Sequence, residues 1–157
     1  MNAQGAQAAA QRVAEAALPL LQGPGTQAFK TDAPAPPAPR MGDLIVLSGL
    51  EHARPGWRPE LEVVSEQKIE PVRTGGLLDE APAVEVLLAG TSNGRRSQFA
   101  ERLGMGLGRE VWNMSLDGGQ FSGALLIALK QRDQWPKSLK VLILSLIHIS
   151  EPTRLRR

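Results

Sequence analysis

The chain has 157 residues, 42% hydrophobic and 22% charged, which is enough for one domain with its own core and unlike the make-up of a disordered chain. It has no cysteine, which excludes disulfides and thiolate metal sites, and its apolar runs fall short of the ~18 residues that a bilayer-spanning helix needs. The net charge of +2 is carried by Arg154, Arg156 and Arg157 against Glu151; the rest is neutral, so charge gives no reason to expect a nucleic-acid partner.

Residues 2–18 are rich in Ala and Gln, with Asn2 placed as a cap and Val13, Ala14, Ala17 and Leu18 spaced for one apolar face, and they predict a helix. Pro19 and the "GPG" at 23–25 end it. Met1 is followed by Asn, Ala and Gln instead of a basic stretch and an apolar run, so no secretion signal is read at this end. "TDAPAPPAPR" (31–40) predicts an extended, solvated connector. "MGDLIVLSGL" (41–50) is read as a short helix capped by Asp43, with a strand as the alternative. "PELEVVSEQKIEPV" (59–72) alternates weakly and predicts strand pairing with turns at Pro59 and Pro71, followed by a loop at "TGG" (74–76).

Beyond residue 82 the pattern sharpens. "AVEVLLAG" (83–90) reads as a strand, and "SQFAERLGMGL" (97–107) as a helix with Phe99, Leu103 and Leu107 on one face. "REVWNMS" (109–115) is a second strand, "GQFSGALLIALKQR" (119–132) a second helix and "KVLI" (140–143) a third strand. Strand, helix, strand, helix, strand is the pattern of a parallel sheet covered by helices.

In such a sheet the loops at the carboxyl ends of the strands gather in one crevice, and "GTSNGRR" (90–96) is one of them. Gly90 permits close backbone approach, and Ser92 sits at the bend, ahead of backbone N–H groups expected at a helix start. A serine there can attack an acyl carbonyl if a base takes its proton. It can equally cap the helix. A phosphate loop is disfavoured, since the segment lacks the Walker lysine and the dinucleotide glycine spacing.

"VLLAGTSNGRRSQFAERLGMGLGREVWNMSLDGGQFSGALLIAL" followed by "LKVLI" resembles the SGNH-hydrolase-like domain of the alginate O-acetyltransferase family, periplasmic enzymes that acetylate exopolysaccharides. The resemblance covers about 84–143 and, more loosely, the N-terminal helix. It implies an incomplete three-layer α/β domain with a parallel sheet flanked by helices, spanning 1–143. It also implies that Ser92 is the nucleophile, that Gly118 or Gly119 supplies an oxyanion-hole N–H and that Asn113 helps fix that turn. An Asn satisfying loop backbone, and glycines serving only the turn, are the alternatives. The partners implied are a polysaccharide acceptor, an acetyl donor and other polysaccharide-export proteins; no cofactor and no metal are implied.

In that family the Asp and His of the triad lie upstream of the serine in a D-x-H-W motif that leads into a helix with a Gly- and Ala-rich start. "MNAQGAQAAAQRVAEAAL" is similar to the text that follows that tryptophan, so the expectation is a fragment whose Asp and His precede Met1 and which is itself inactive. His52, in "GLEHARPGW", is read as a surface histidine, and Asp79 and Asp117 cannot replace an imidazole, because a carboxylate is a poor base for a serine hydroxyl. Arg95 and Arg96 are placed to meet carboxylates of an anionic polysaccharide, or are simply solvated. Trp57, Trp112 and Trp135 offer sugar-stacking faces, with Trp112 assigned to the core.

The tail "LSLIHISEPTR" (144–154) resembles the conceptual translation of a sequencing adapter, and residues 144–157 are expected not to be native, His148 among them. The rival is one strand over 140–149 with His148 at its carboxyl end. Two functional alternatives stand beside the acetyltransferase: a non-catalytic polysaccharide-binding or scaffold subunit in which Ser92 merely caps a helix, and a carbohydrate esterase using the same residues.

Overall fold

The computed structural model describes residues 3–42, 45–46, 48–73, 83–95, 98–117 and 122–146. Its centre is a three-stranded parallel sheet of β5 (Val86–Gly90), β6 (Val111–Asn113) and β7 (Val141–Ser145), in the order β6-β5-β7. β5 lies in the middle and all five of its residues are buried, which is why it reads as an unbroken apolar run and not as an alternating one.

Helix α1 (Ala3–Ala17) and helix α2 (Phe99–Leu107) pack on each other and, with Val86, Leu88 and Val141 of the sheet, form the main core. Helix α3 (Gly123–Lys130) packs on β5 and buries Ala124 and Ala128. The expected face of α2 is observed: Phe99, Leu103 and Leu107 are all buried. The buried stripe of α1 is Ala6, Ala10, Ala14 and Ala17, with Val13 and Leu18 at its margin. Small side chains let the two helices approach closely; a Cβ on Gly106 of α2 would lie 3.1 Å from the Cβ of Ala14. Asn2, the expected cap of α1, lies outside the described residues.

In the middle of the chain the strand pairing expected within 59–72 is observed, but its partner is the segment expected as a connector. β1 (Phe29–Thr31) pairs antiparallel with β4 (Ile69–Pro71), and β2 (Ala38–Arg40) with β3 (Glu62–Val64). The bonds Asp32 N–H to Lys68 O (3.0 Å) and Ala35 N–H to Glu66 O (2.8 Å) join the two ladders into one ribbon. The proline-rich segment is therefore a strand partner of 62–71 and not a free connector, although most of its side chains are exposed. Prolines fit because a two-stranded ribbon has outer edges where a missing N–H costs no ladder bond. Pro71, expected at a turn, is the last residue of β4 and faces Phe29.

Within 41–50, Ile45 and Val46 form a helical turn whose N–H groups reach Gly42 O at 3.0 and 3.4 Å; Asp43, its expected cap, lies outside the described residues. A 3-10 turn follows at Leu50–His52. β7 continues past Ile143 through Leu144 and Ser145, which pair with Ala89 and Gly90; His148 lies outside the described residues. Among the described residues no helix is long and apolar enough to cross a membrane.

The opposite, amino-terminal end of the sheet is fastened by a charged cluster that the sequence reading did not single out. The Arg109 guanidinium donates to Glu85, to Gly23 O (2.6 Å), to Leu21 O (3.1 Å) and to Leu107 O (3.3 Å), while Lys140 also donates to Glu85. One side chain thus joins the start of β5, the turn after α1 and the end of α2. The Glu85 carboxyl is held below the usual carboxylate range, first by its bond from Lys140 and then by that from Arg109.

Candidate active site

β5 ends at Gly90, where a Cβ would lie 2.6 Å from Ser145 O of β7, so the carboxyl end of the central strand admits glycine alone without a shift of the neighbouring backbone. Thr91 stays extended and forms a parallel bridge with Leu116, and Leu116 N–H reaches Gly90 O at 2.9 Å. The chain then turns into a 3-10 element, Ser92–Gly94, closed by Gly94 N–H to Thr91 O (3.0 Å) and Arg95 N–H to Ser92 O (3.0 Å). Ser92 is half-buried at the first position of this turn, at the carboxyl edge of the sheet.

As expected, strand, turn and helix follow one another, the helix beginning at Phe99 where residue 97 was expected. α2 begins at Phe99, and its cap is Gln98, whose backbone is left-handed (φ 51°) and whose side chain accepts Ile69 N–H at 2.8 Å. Ser92 is therefore not the cap of α2. The amides of Gly94 and Arg95 are already used within the 3-10 turn.

Asn113, the last residue of β6, reaches the serine turn directly. Its Nδ2 donates to Gly94 O at 2.8 Å while its Oδ1 accepts Ser115 N–H at 3.0 Å, so one amide side chain joins the two carboxyl-end loops. Ser115 is fully buried, and its hydroxyl occupies the space that a Cβ on Gly94 would need; a Cβ there would also lie 2.8 Å from the Ser115 Cβ. The hydroxyls of Ser115 and Thr91 are buried with no hydrogen-bond partner among the described residues. Neither Gly94 nor Ser115 was singled out from the sequence. Each looks ordinary locally, and only their contact marks them.

Arg95 is exposed at the end of the serine turn, and Asp117 is exposed one residue past Leu116. Arg96, Gly118 and Gly119 lie outside the described residues. His52 is at the surface, its side chain 85% exposed and its Nε2 3.6 Å from Glu51 Oε1. Trp112 is half-buried on an edge strand, not fully in the core as expected; Trp135 donates to Ala128 O at 3.0 Å, and Trp57 is exposed. Among the described residues no group of three or more His, Asp or Glu is arranged to hold a metal ion.

A parallel α/β sheet with helices on both faces and a serine on the loop leaving its central strand is the architecture of the SGNH-hydrolase-like class. The chain belongs to the SGNH hydrolase-like domain family of the acetyltransferase AlgX, whose family model matches residues 1–146. Among solved structures it is similar to the O-acetyltransferase domain of Pseudomonas putida AlgJ, at 25% identity and a TM-score of 0.70, over 93% of this chain and 50% of that one. It also shares its fold with Pseudomonas aeruginosa AlgX, at 23% identity and a TM-score of 0.66, over 91% of this chain and 32% of that one. The chain thus spans half the length of the AlgJ domain. No curated protein matches it at a significant level.

Proposed function

We propose that the chain carries the nucleophile-bearing part of an O-acetyltransferase that acts on a bacterial exopolysaccharide, alginate or a similar polymer, in the periplasm. The observation that carries this reading is the position of Ser92, half-buried at the carboxyl end of the central strand, in a chain of the AlgX family. The Ser92 hydroxyl attacks the carbonyl carbon of an acetyl donor and its proton passes to an imidazole. The imidazolium returns that proton to the donor's leaving group as it departs, and acetyl-Ser92 remains. A hydroxyl of the polysaccharide then attacks the ester and gives its proton to the neutral imidazole, which passes it to Ser92 Oγ as the serine leaves. N–H groups of Gly118 or Gly119 hold the oxyanion formed in each step. Arg95 and Arg96 meet carboxylates of the acceptor.

Among the described residues none supplies the imidazole. His52 is exposed beside Glu51, and an effective base has to lie within hydrogen-bond reach of the hydroxyl that it deprotonates. In the resemblance described above, the Asp and His belong to a motif upstream of the serine. On this reading a polypeptide of residues 1–157 alone is inactive, and a protein that also carries an Asp-x-His-Trp motif is the active form.

The test uses p-nitrophenyl acetate, with the 157-residue chain and the longer protein each compared with its Ser92→Ala variant. The expected result is no Ser92-dependent release from the short chain and a clear Ser92-dependent release from the long one. Release by the short chain that disappears in Ser92→Ala would overturn its inactivity. Full activity of the long Ser92→Ala protein would overturn the nucleophile. Transfer of acetyl to an alginate oligosaccharide, against simple hydrolysis, separates the transferase from an esterase.

A further inference from the structure

We infer that Gly94, Asn113 and Ser115 form an interlock that positions Ser92, so that the place of the serine is set by the loop after β6 and not by its own turn alone. The inference rests on the reading of Ser92 as the nucleophile, but its geometry does not depend on that reading.

A three-residue 3-10 turn held by two internal bonds is weakly determined by itself, because its poor hydrogen-bond geometry adds little and its residues have few neighbours along the chain. Here the last residue of the turn is gripped from two directions. The Asn113 amide holds the Gly94 carbonyl at 2.8 Å, and the buried Ser115 side chain fills the space beside the Gly94 Cα where any side chain would have to go. Asn113 also holds the Ser115 amide at 3.0 Å, so the residue that bonds the turn fixes the one that packs against it. Leu116 N–H on Gly90 O and the Thr91–Leu116 bridge secure the other end of the same turn.

The Ser115 hydroxyl is a buried polar group with no partner among the described residues, a costly arrangement that a mere space-filler would avoid by being alanine. Its oxygen, smaller than a methyl group, suits the narrow gap beside Gly94. These are positioning residues: they act on Ser92 through the backbone of Gly94.

The absence of cysteine from the chain makes a clean probe available, since Ser92→Cys introduces a unique thiol whose alkylation needs no imidazole. Iodoacetamide alkylation rates are measured across pH in the full 157-residue chain carrying Ser92→Cys, alone and with second substitutions, and each variant is checked by circular dichroism. Gly94→Ala and Asn113→Ala are expected to raise the rate by about fivefold as the half-buried position opens. Asn113→Asp, which keeps the acceptor for Ser115 N–H and loses the donor to Gly94 O, is expected to do the same. The decisive variant is the pair Gly94→Ala with Ser115→Gly, which moves the side-chain atoms from one side of the contact to the other. Its remaining neighbour, Leu88 Cδ2, stands at 3.4 Å from the new Cβ, so the rate is expected to return to within about twofold of the parent.

Arg109→Ala, a destabilising change at the far end of the sheet, is expected to leave the rate within about twofold. The inference is overturned if folded Asn113→Ala and Asn113→Asp both keep the parent rate, or if Arg109→Ala raises it as much as they do. Should Gly94→Ala not fold, failure of the paired variant to restore folding overturns it as well. A failed ester assay in the longer protein would remove the nucleophile and leave these rates as they are, so the two failures are distinguishable.

Discussion

Replacing Arg109 with Ala removes one guanidinium from four acceptors in three elements. Leu107 O keeps its bond from Gly25 N–H at 2.9 Å, and Glu85 keeps Lys140, whose side chain is 45% exposed. What is lost in full is the bond from Arg109 to Glu85 and those to the carbonyls of Leu21 and Gly23 in the turn that follows α1. The Arg109 and Glu85 side chains are only 14% and 18% exposed, so solvent screening discounts the interaction little. Three charge-assisted bonds at about 1.5 kcal/mol each give a loss of about 4.5 kcal/mol, within the range for a broken buried pair. For a domain of this size that corresponds to a fall in Tm of about 9–18 °C. Urea unfolding followed by circular dichroism measures it, with an unchanged m-value showing that the native and unfolded states keep their extents. Arg109→Lys retains the charge but cannot span the same acceptors, and is expected to lose at least half as much. A loss below about 1 kcal/mol for Ala, or a Lys variant as stable as the parent, would refute the reasoning.

The same cluster predicts a pH dependence. Because the folded protein holds Glu85 below the ordinary carboxylate range, its contribution is present above the unfolded value of about 4.3 and is lost as pH falls from there through the folded value. Tm measured between about pH 6 and pH 2 should fall less steeply in Glu85→Gln than in the parent, and parallel curves would sink the assignment. In the core, Leu103→Ala at a fully buried site facing the sheet should cost about 3 kcal/mol, whereas Met105→Ala on the exposed side of the same helix should cost under about 1 kcal/mol; equal urea midpoints would contradict the packing.

Features that depend on local chemistry were legible before the fold was seen. A continuous apolar run at 86–89 predicts a strand covered on both faces, and Phe99, Leu103 and Leu107 predict the buried side of α2; both are observed. The order strand, helix, strand, helix, strand led to a parallel sheet, the stretch 86–129 with 139–143 led to the family, and the motif at 90–96 led to the carboxyl end of β5. Strand pairing within 59–72 was legible, but its partner, the proline-rich 29–40, was not, since exposed proline-rich strands have no strong period and the pairing is a contact between distant residues.

By itself, then, the sequence determined the layered α/β class and the strand end on which Ser92 sits, because side-chain periodicity and glycine placement act over a few neighbouring residues. The tertiary structure alone decided that Arg109 joins α1, α2 and the sheet, and that Ser115 lies against Gly94 while Asn113 grips its carbonyl. Apart from the bond to Leu107, those contacts link residues 19 to 88 positions apart, and a hydrogen bond or a steric fit exists only when folding brings its two halves within a few ångströms.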